Sequence, residues 1–398
     1  MEVVAATNLG GSRRPWQDLP SELLSLVLQR VVSHADRARL RAVCRPWRAG
    51  ARLEPPFPAL LPWLALRDGS FLSLSDGQVH RRILVPDDNV AHRVSTGSTL
   101  FLVQKHNDHQ GFSCSLMNPL ARGTTASQSV SLNCLHTRRG GVLDGSNIRK
   151  VVVMSDGIIA VQTGSRLSGG NKVITISIRR PGSTNVEWQW SPHGDVAAGT
   201  YYPHPYHVLD MALFQHKLYV LTAAAVGLCL PFRLRLYAMD IVDGSRVDVQ
   251  PVFISPQDDI DRWHYGGLRH YLVASGDRLL MVKQTSPLIM PAWFEVLEAA
   301  DISGGRGRWR DVETLKGRAL FLNEGCSESL PAGDGKYAGA REDCIYFVKE
   351  GNNYDGRTSA LYSGVYDMRR GTMSPLPVDT VVPHDGSFTA TWFFPADT

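Results

Sequence analysis

Apolar positions follow two different periods along this chain. Within residues 16–52, Leu23, Leu24, Val27, Leu28, Val31 and Val32 recur at helical spacing. Pro20 suits a first helical turn, where a missing N–H costs nothing, and Asp18 and Glu22 suit the positive end of the helix dipole. A break is expected at Ser33-His34, then a second helix capped by Asp36 and carrying Leu40, Val43 and Cys44 on one side. Pro46 is expected to bend or end that helix, with Trp47 just beyond. Two or three short helices bury too little surface to be robust alone. The unit is therefore expected to lean on a partner or to cap the domain that follows.

Glu54-Pro55-Pro56-Phe57-Pro58 cannot be helical and reads as a short, stiff linker. Beyond it the period becomes that of strands: short apolar or alternating runs punctuated by Gly, Asp, Asn and Pro. The runs repeat as a unit. Its central runs are Leu100–Val103, Ile158–Val161, Leu218–Leu221, Leu279–Val282 and Ile345–Val348, whose starts lie 58, 60, 61 and 66 residues apart. A third run follows in each unit: Ser115–Pro119, Ile176–Arg180, Leu236–Asp240, Phe294–Glu298 and Val365–Met368. A degenerate sixth unit fits Trp63–Val85, with Phe71–Leu74 at its centre. Four-stranded sheets set around an axis would give this repeat, because each sheet needs neighbours on both sides to bury its faces. The expected fold is mainly β with a small α N-terminal domain: helices followed by a β-propeller of about six blades, five to seven being compatible. A pair of β-sandwiches is the non-repeat alternative.

Composition narrows the function classes. Of 398 residues, 43% are hydrophobic and 20% charged, enough to bury a core and too apolar for a disordered chain. The longest apolar stretches, such as Leu221–Leu230, fall short of the ~20 residues a spanning helix needs. Met1–Arg14 lacks a hydrophobic signal core, so secretion is not expected. Cys44, Cys114, Cys134, Cys229, Cys326 and Cys344 show neither CxxC nor zinc-finger spacing and read as thiols in a reducing compartment. The net charge of +4 is uneven. Residues 1–53 hold nine Arg and no Lys against Glu2, Asp18, Glu22 and Asp36, so the head is basic and the body near neutral. An acidic protein partner, a nucleic acid or a solvated helical face would each account for that.

The head carries a family resemblance. Asp18-Leu19-Pro20-Ser21-Glu22-Leu23-Leu24, then Val27-Leu28, Asp36 and Val43-Cys44-Arg45-x-Trp47-Arg48, resembles an F-box. The resemblance implies a helical module, over residues 16–53, that docks on the Skp adaptor of SCF-type cullin–RING ubiquitin ligases. It implies Leu19, Pro20, Leu23, Leu24, Val27, Leu28, Val31, Val43, Cys44 and Trp47 as contact or supporting residues, a list that sequence cannot divide between docking surface and core. Arg37, Arg39, Arg41, Arg45, Arg48 and Arg52 would speed encounter with an acidic adaptor. Only Trp16 and Trp47 interleave with these charges, and no nucleic-acid partner is expected.

The body, roughly residues 60–395, resembles the plant F-box-associated domain described as the KIB-type β-propeller. The residues that carry this are Tyr271-Leu272-Val273-x-Ser275-Gly276-x-x-Leu279-Leu280-Met281-Val282, Ala319–Asn323, Cys344–Phe347 and Gly364–Met368, with Asn118-Pro119 and Arg180-Pro181-Gly182 echoing its turns. Thr222–Pro231 and Gly304–Arg310 match it less well. The organisation expected is a flexible N-terminus (1–15), the F-box (16–53), a Pro-rich linker (54–59) and the propeller (60–395).

No nucleophile elbow, phosphate loop, HExxH or EF-hand pattern occurs, and no catalytic residue, metal or cofactor is expected. His106 and His109 read as a hairpin tip, Asp258, Asp259 and Asp261 as a solvated acidic cluster, and Gly304–Arg310 as a flexible basic loop. Target contacts are expected from loops, with Tyr202, His204, Tyr206, Trp263 and Tyr265 as aromatic candidates. The function expected is a non-catalytic, substrate-recruiting F-box subunit, with Skp, and through it the ligase, and an unknown target protein as partners, no membrane contact, and a cytoplasmic or nuclear location. The alternatives are a carbohydrate-active or binding propeller with a helical cap, whose mark would be carboxylates and His at one channel mouth, and an adaptor-binding competitor or scaffold.

Overall fold

The computed structural model describes residues 16–31, 33–50, 61–66, 69–75, 77–80, 90–105, 112–119, 127–131, 148–154, 157–166, 172–179, 188–190, 207–225, 232–242, 246–252, 260–261, 268–285, 293–302, 307–333, 339–352, 359–376 and 390–395. The linker expected at 54–59 lies outside them, as do all five aromatic candidates and both His106 and His109.

Three helices open the chain: α1 (Ser21–Arg30), α2 (His34–Val43) and α3 (Arg45–Gly50), preceded by one 3-10 turn at Trp16–Asp18. Pro20 sits at the N-cap position of α1, one place before the first turn. The second helix is capped by Ser33, whose hydroxyl accepts from the Asp36 N–H. This corrects the assignment of the cap to Asp36: with the helix starting at His34, Asp36 falls in its first turn. Pro46 does not end α2, which stops at Val43; it lies in the first turn of α3, where it loses no hydrogen bond.

Strands follow in groups. The first blade contains β1 (Trp63–Ala65), β2 (Phe71–Ser73) and β3 (Val79–His80). The second is β4 (Val90–Thr96), β5 (Thr99–Lys105), β6 (Phe112–Met117) and β7 (Ser127–Ser131). The third is β8 (Ile148–Val153), β9 (Ile159–Arg166), β10 (Lys172–Arg179) and β11 (Trp188–Trp190). The fourth is β12 (His207–Phe214), β13 (Lys217–Ala225), β14 (Phe232–Val242) and β15 (Arg246–Val252), with β16 (Ile260–Asp261) added on β14. The fifth is β17 (Leu268–Ser275), β18 (Arg278–Thr285), β19 (Phe294–Ala300) and β20 (Arg308–Asp311). The sixth is β21 (Arg318–Leu322), β22 (Glu328–Pro331), β23 (Cys344–Asn352), β24 (Ser359–Asp367) and β25 (Thr372–Ser374). Finally β26 (Thr391–Phe393) returns to pair with β1, so the chain's last strand completes its first sheet. The described residues thus form a six-bladed β-propeller.

Alternation along each strand explains why the central runs are continuously apolar. On the fifth blade, Leu272, Leu279 and Met281 pack toward the fourth blade with Leu221, Leu234 and Leu236. Their neighbours Tyr271, Val273, Leu280 and Val282 pack toward the sixth with Leu320, Leu322, Ile345 and Phe347. A sheet covered on both faces needs apolar residues at every position, not every second one.

The sixth blade departs from the pattern. In it β21 runs parallel to β23, and β22 folds back antiparallel on β21. The chain between Leu322 and Cys344 makes this excursion, which accounts for the longest repeat interval. The blade is also tied to the closing strand. Asn323 Nδ2 donates to the carbonyls of Val348 and Ala390, both at 3.0 Å, and Trp392 Nε1 donates to the Leu322 carbonyl at 2.9 Å.

Candidate functional site: the helical face and the propeller axis

Helix α1 is apolar on two sides. Leu24 and Leu28, one turn apart, are buried against Leu19, Leu40 and Trp47. Helix α3 approaches α1 closely because position 50 is glycine: a Cβ there would lie 2.6 Å from Leu24 Cδ2. Trp47 Nε1 donates to the Trp16 carbonyl at 2.9 Å, fastening the entering chain to α3. Leu24 and Leu28, which the resemblance implied as contact or supporting residues, thus lie inside the unit's own core.

The other side of α1 has no cover among the described residues. Leu23, Leu26 and Val27, spaced i, i+3 and i+4, are 49%, 45% and 39% exposed, and Val43 at the end of α2 is 62% exposed. Trp16 is also exposed, Pro20 is exposed, and Leu19, Val31, Cys44 and Trp47 are half-buried. Leu26 was missed by sequence reasoning. The signal was its i+3 relation to Leu23, hidden because almost every position of Leu23–Leu28 is apolar.

Around this face the arginines divide. Arg37 is buried, and its Nε donates to the Val31 carbonyl at 3.0 Å, so it joins the two helices and does not serve encounter with a partner. Arg39 pairs with Asp36 at 2.6 Å on the surface. Arg45 and Arg48 are exposed, and Arg48 Nε donates to the Arg41 carbonyl at 3.2 Å. Arg52 lies outside the described residues.

The propeller's inner strands bring ionisable groups together. Lys150 Nζ on β8 meets Asp210 Oδ1 on β12 at 2.7 Å, both side chains being buried. Asp210 also accepts from the backbone N–H of Met211 at 2.8 Å and of Leu272 at 2.7 Å, so one carboxylate joins the third, fourth and fifth blades. Burial pushes the Asp210 carboxyl up, with Lys150 and the two amides opposing. Glu328 on β22 is likewise pushed up by burial, with Lys150 and then Arg318 opposing. Burial raises the Cys326 thiol to about 12 and the Tyr271 phenol to about 12. Cys326 is thereby held as a thiol, the form that is a poor nucleophile. No group of three His, Cys, Asp or Glu residues able to hold a metal occurs among the described residues. Sequence reasoning missed this axial set because Lys150, Asp210 and Glu328 come from three different blades, 60 and 118 residues apart along the chain.

The basic stretch after Gly304 is a correction. Arg308, Trp309 and Arg310 lie in β20 with Trp309 buried, so this part is an outer strand and not a flexible loop, while residues 304–306 lie outside the described residues. Of the acidic cluster only Asp261 is described, in β16.

Comparison with known proteins follows the same division. Residues 16–52 match the F-box-like family, and residues 71–367 match the KIB1-4 beta-propeller family. "F-box protein At2g26160" of Arabidopsis thaliana is 38% identical over 47 residues, which cover 12% of this chain and 14% of that protein. Among solved structures, the β-propeller domain of the Trilobed protease from Pyrococcus furiosus has a TM-score of 0.36 and 10% identity, covering 77% of this chain and 75% of that one. A thermostable family-43 glycoside hydrolase has a TM-score of 0.32 and 9% identity, covering 75% and 90%. Likeness at this level carries no argument about activity. The match over residues 71–367, behind an F-box-like head, places the chain in the KIB1-4 beta-propeller family, in the plant F-box arrangement.

Proposed function

We propose that this protein is a substrate-recruiting subunit of an SCF-type cullin–RING ubiquitin ligase. The helical head binds the Skp adaptor and the propeller binds a target protein. The observation that carries this reading is the uncovered apolar stripe of Leu23, Leu26 and Val27 on α1, with Val43 beside it. Burying a half-exposed Leu or Val contributes about 1 kcal/mol, so four of them supply a few kcal/mol toward docking. In this division of labour Leu24, Leu28 and Trp47 hold the helices, while Leu23, Leu26, Val27 and Val43 touch the adaptor. Arg45 and Arg48 raise the encounter rate with an acidic surface. The subunit makes no bonds itself; tethering raises the local concentration of target lysines near the charged ubiquitin-conjugating enzyme. Among the described residues the buried Cys326 and Cys344 are thiols outside any disulfide, which fits a cytosolic or nuclear location.

The test is co-purification of the full chain with a Skp-family adaptor, for wild type and Leu23→Ser/Val27→Ser. Wild type should retain the adaptor and the double variant should lose it with an unchanged circular dichroism spectrum. Equal retention by both proteins would remove the assignment of this face.

A further inference from the structure

Two arginines, one from each blade, sit at the junction of the fifth and sixth blades. Arg278 opens β18 directly after the hairpin turn Gly276-Asp277, opposite Ser275 in the strand register. Ser275 Oγ lies 2.8 Å from Ser329 Oγ on β22. That same hydroxyl accepts from Arg318 Nε at 2.8 Å, and Arg318 Nη2 donates to the Ser329 carbonyl at 2.7 Å. Arg278 is 5% exposed, and its Nη1 donates to the Thr314 carbonyl at 3.3 Å. The Thr314 turn is itself fixed, because buried Asp343 accepts from Thr314 Oγ1 at 3.0 Å and from the Leu315 N–H at 2.6 Å. Arg278 Nη2 has no hydrogen-bond partner among the described residues.

Such an arrangement is costly. A buried, unsatisfied donor on a charged group is rare in folded proteins, and like charges brought together repel. The repulsion is felt: the Arg318 guanidinium is drawn below its ordinary pKa by burial first and by Arg278 second, with Glu328 opposing. Neither Arg278 nor Arg318 forms an ion pair with a carboxylate among the described residues. Asp343 is engaged by Arg369, and Glu328, whose carboxyl is pushed up by burial with Lys150 and Arg318 opposing, makes no ion pair with either arginine among the described residues. What is missing is an acceptor for Arg278 Nη2 and an anion in direct contact with the two guanidiniums.

We propose that Arg278 and Arg318 hold a phosphate dianion between the fifth and sixth blades. Two guanidiniums match two negative charges, and the planar fork of Arg suits paired phosphate oxygens. The phosphate comes from a phosphorylated side chain of a target protein or from free phosphate, and the two sources separate by experiment. The site is independent of the adaptor reading: Leu23→Ser/Val27→Ser should bind phosphate as wild type does.

The experiment is calorimetric titration of the full chain with inorganic phosphate at constant ionic strength. Saturable binding is expected, weakened about tenfold or more by Arg278→Gln or Arg318→Gln, since one charge-assisted contact exceeds the 1.4 kcal/mol that a factor of ten represents. Arg310→Gln, on the outer strand β20, should leave the affinity unchanged. A second readout is the rise in melting temperature with phosphate, present in wild type and lost in either site variant. Absence of saturable binding to wild type, or equal affinity in all the variants, would overturn the site. For the source, a capped phosphoserine should displace inorganic phosphate while capped serine does not. Failure of the phosphoserine to compete would overturn the target-protein source.

Discussion

The helical head and the propeller treat their apolar residues in opposite ways. In the propeller, large apolar side chains from neighbouring blades cover one another, and among the described residues those left exposed are scattered singly: Val79, Trp293 and Met373. In the head, two leucines are fully buried while Trp16, Leu23, Leu26, Val27 and Val43 face outward within one small unit. A ring of sheets closes on itself and leaves no face in need of cover. Three short helices cannot do so, and the apolar surface they leave open is the surface that the proposed function assigns to a second protein. On the proposed function, stability and recognition are separated along the chain: one region owns its core, and the other would share one.

Disrupting the self-contained region should have the largest effect. Trp392→Ala removes a fully buried ring that joins the closing strand to the sixth blade and should destabilise the propeller by about 4 kcal/mol, read as a lowered urea midpoint. Asp210→Ala strands the Lys150 ammonium in the axis and should cost about 3 kcal/mol by the same measurement. In the head the contrast is between adjacent residues. Leu24→Ala should cost about 2–3 kcal/mol and reduce helicity, whereas Leu23→Ala should change stability by less than about 0.5 kcal/mol while weakening adaptor binding. Equal stability effects at positions 23 and 24 would erase the distinction between shared and owned surface. Ser33→Ala should cost about 1 kcal/mol through loss of the α2 cap, visible in the helical circular dichroism signal.

The smallest effect is pH-dependent. Glu328 has a folded pKa above its unfolded value, so its protonated form favours the fold. That contribution is full below the unfolded value near 4 and is lost as pH rises through the folded one. Glu328→Gln should therefore gain stability over wild type progressively as the pH is raised from about 4 toward neutrality, in a series of melts.

The propeller was largely legible in the sequence because burial on two faces leaves continuous apolar runs at a fixed interval. What escaped was anything that interval does not encode. Thr391–Phe393 is a three-residue strand with no repeat of its own, and its place in the first sheet depends on ring closure. The parallel pairing of β21 with β23 leaves no trace in a two-residue period. Ser33 and Asp36 are both acceptable caps, and only the helix start at His34 selects Ser33. Leu23 and Leu24 are the same residue type on one helix; the approach of α3, made possible by Gly50, decides which is covered. Arg278 and Arg318 are 40 residues apart and become neighbours only through the serine contact between two inner strands.

Hydrogen exchange of the full chain, with and without a purified Skp-family adaptor, tests the separation of the two regions most directly. The amides of Ser21–Arg30 and Arg45–Gly50 should exchange more slowly in the complex, while those of Leu268–Ser275 and Arg278–Thr285 keep their rates. Slowing confined to the propeller strands, or adaptor binding with unchanged exchange in Ser21–Arg30, would contradict the account.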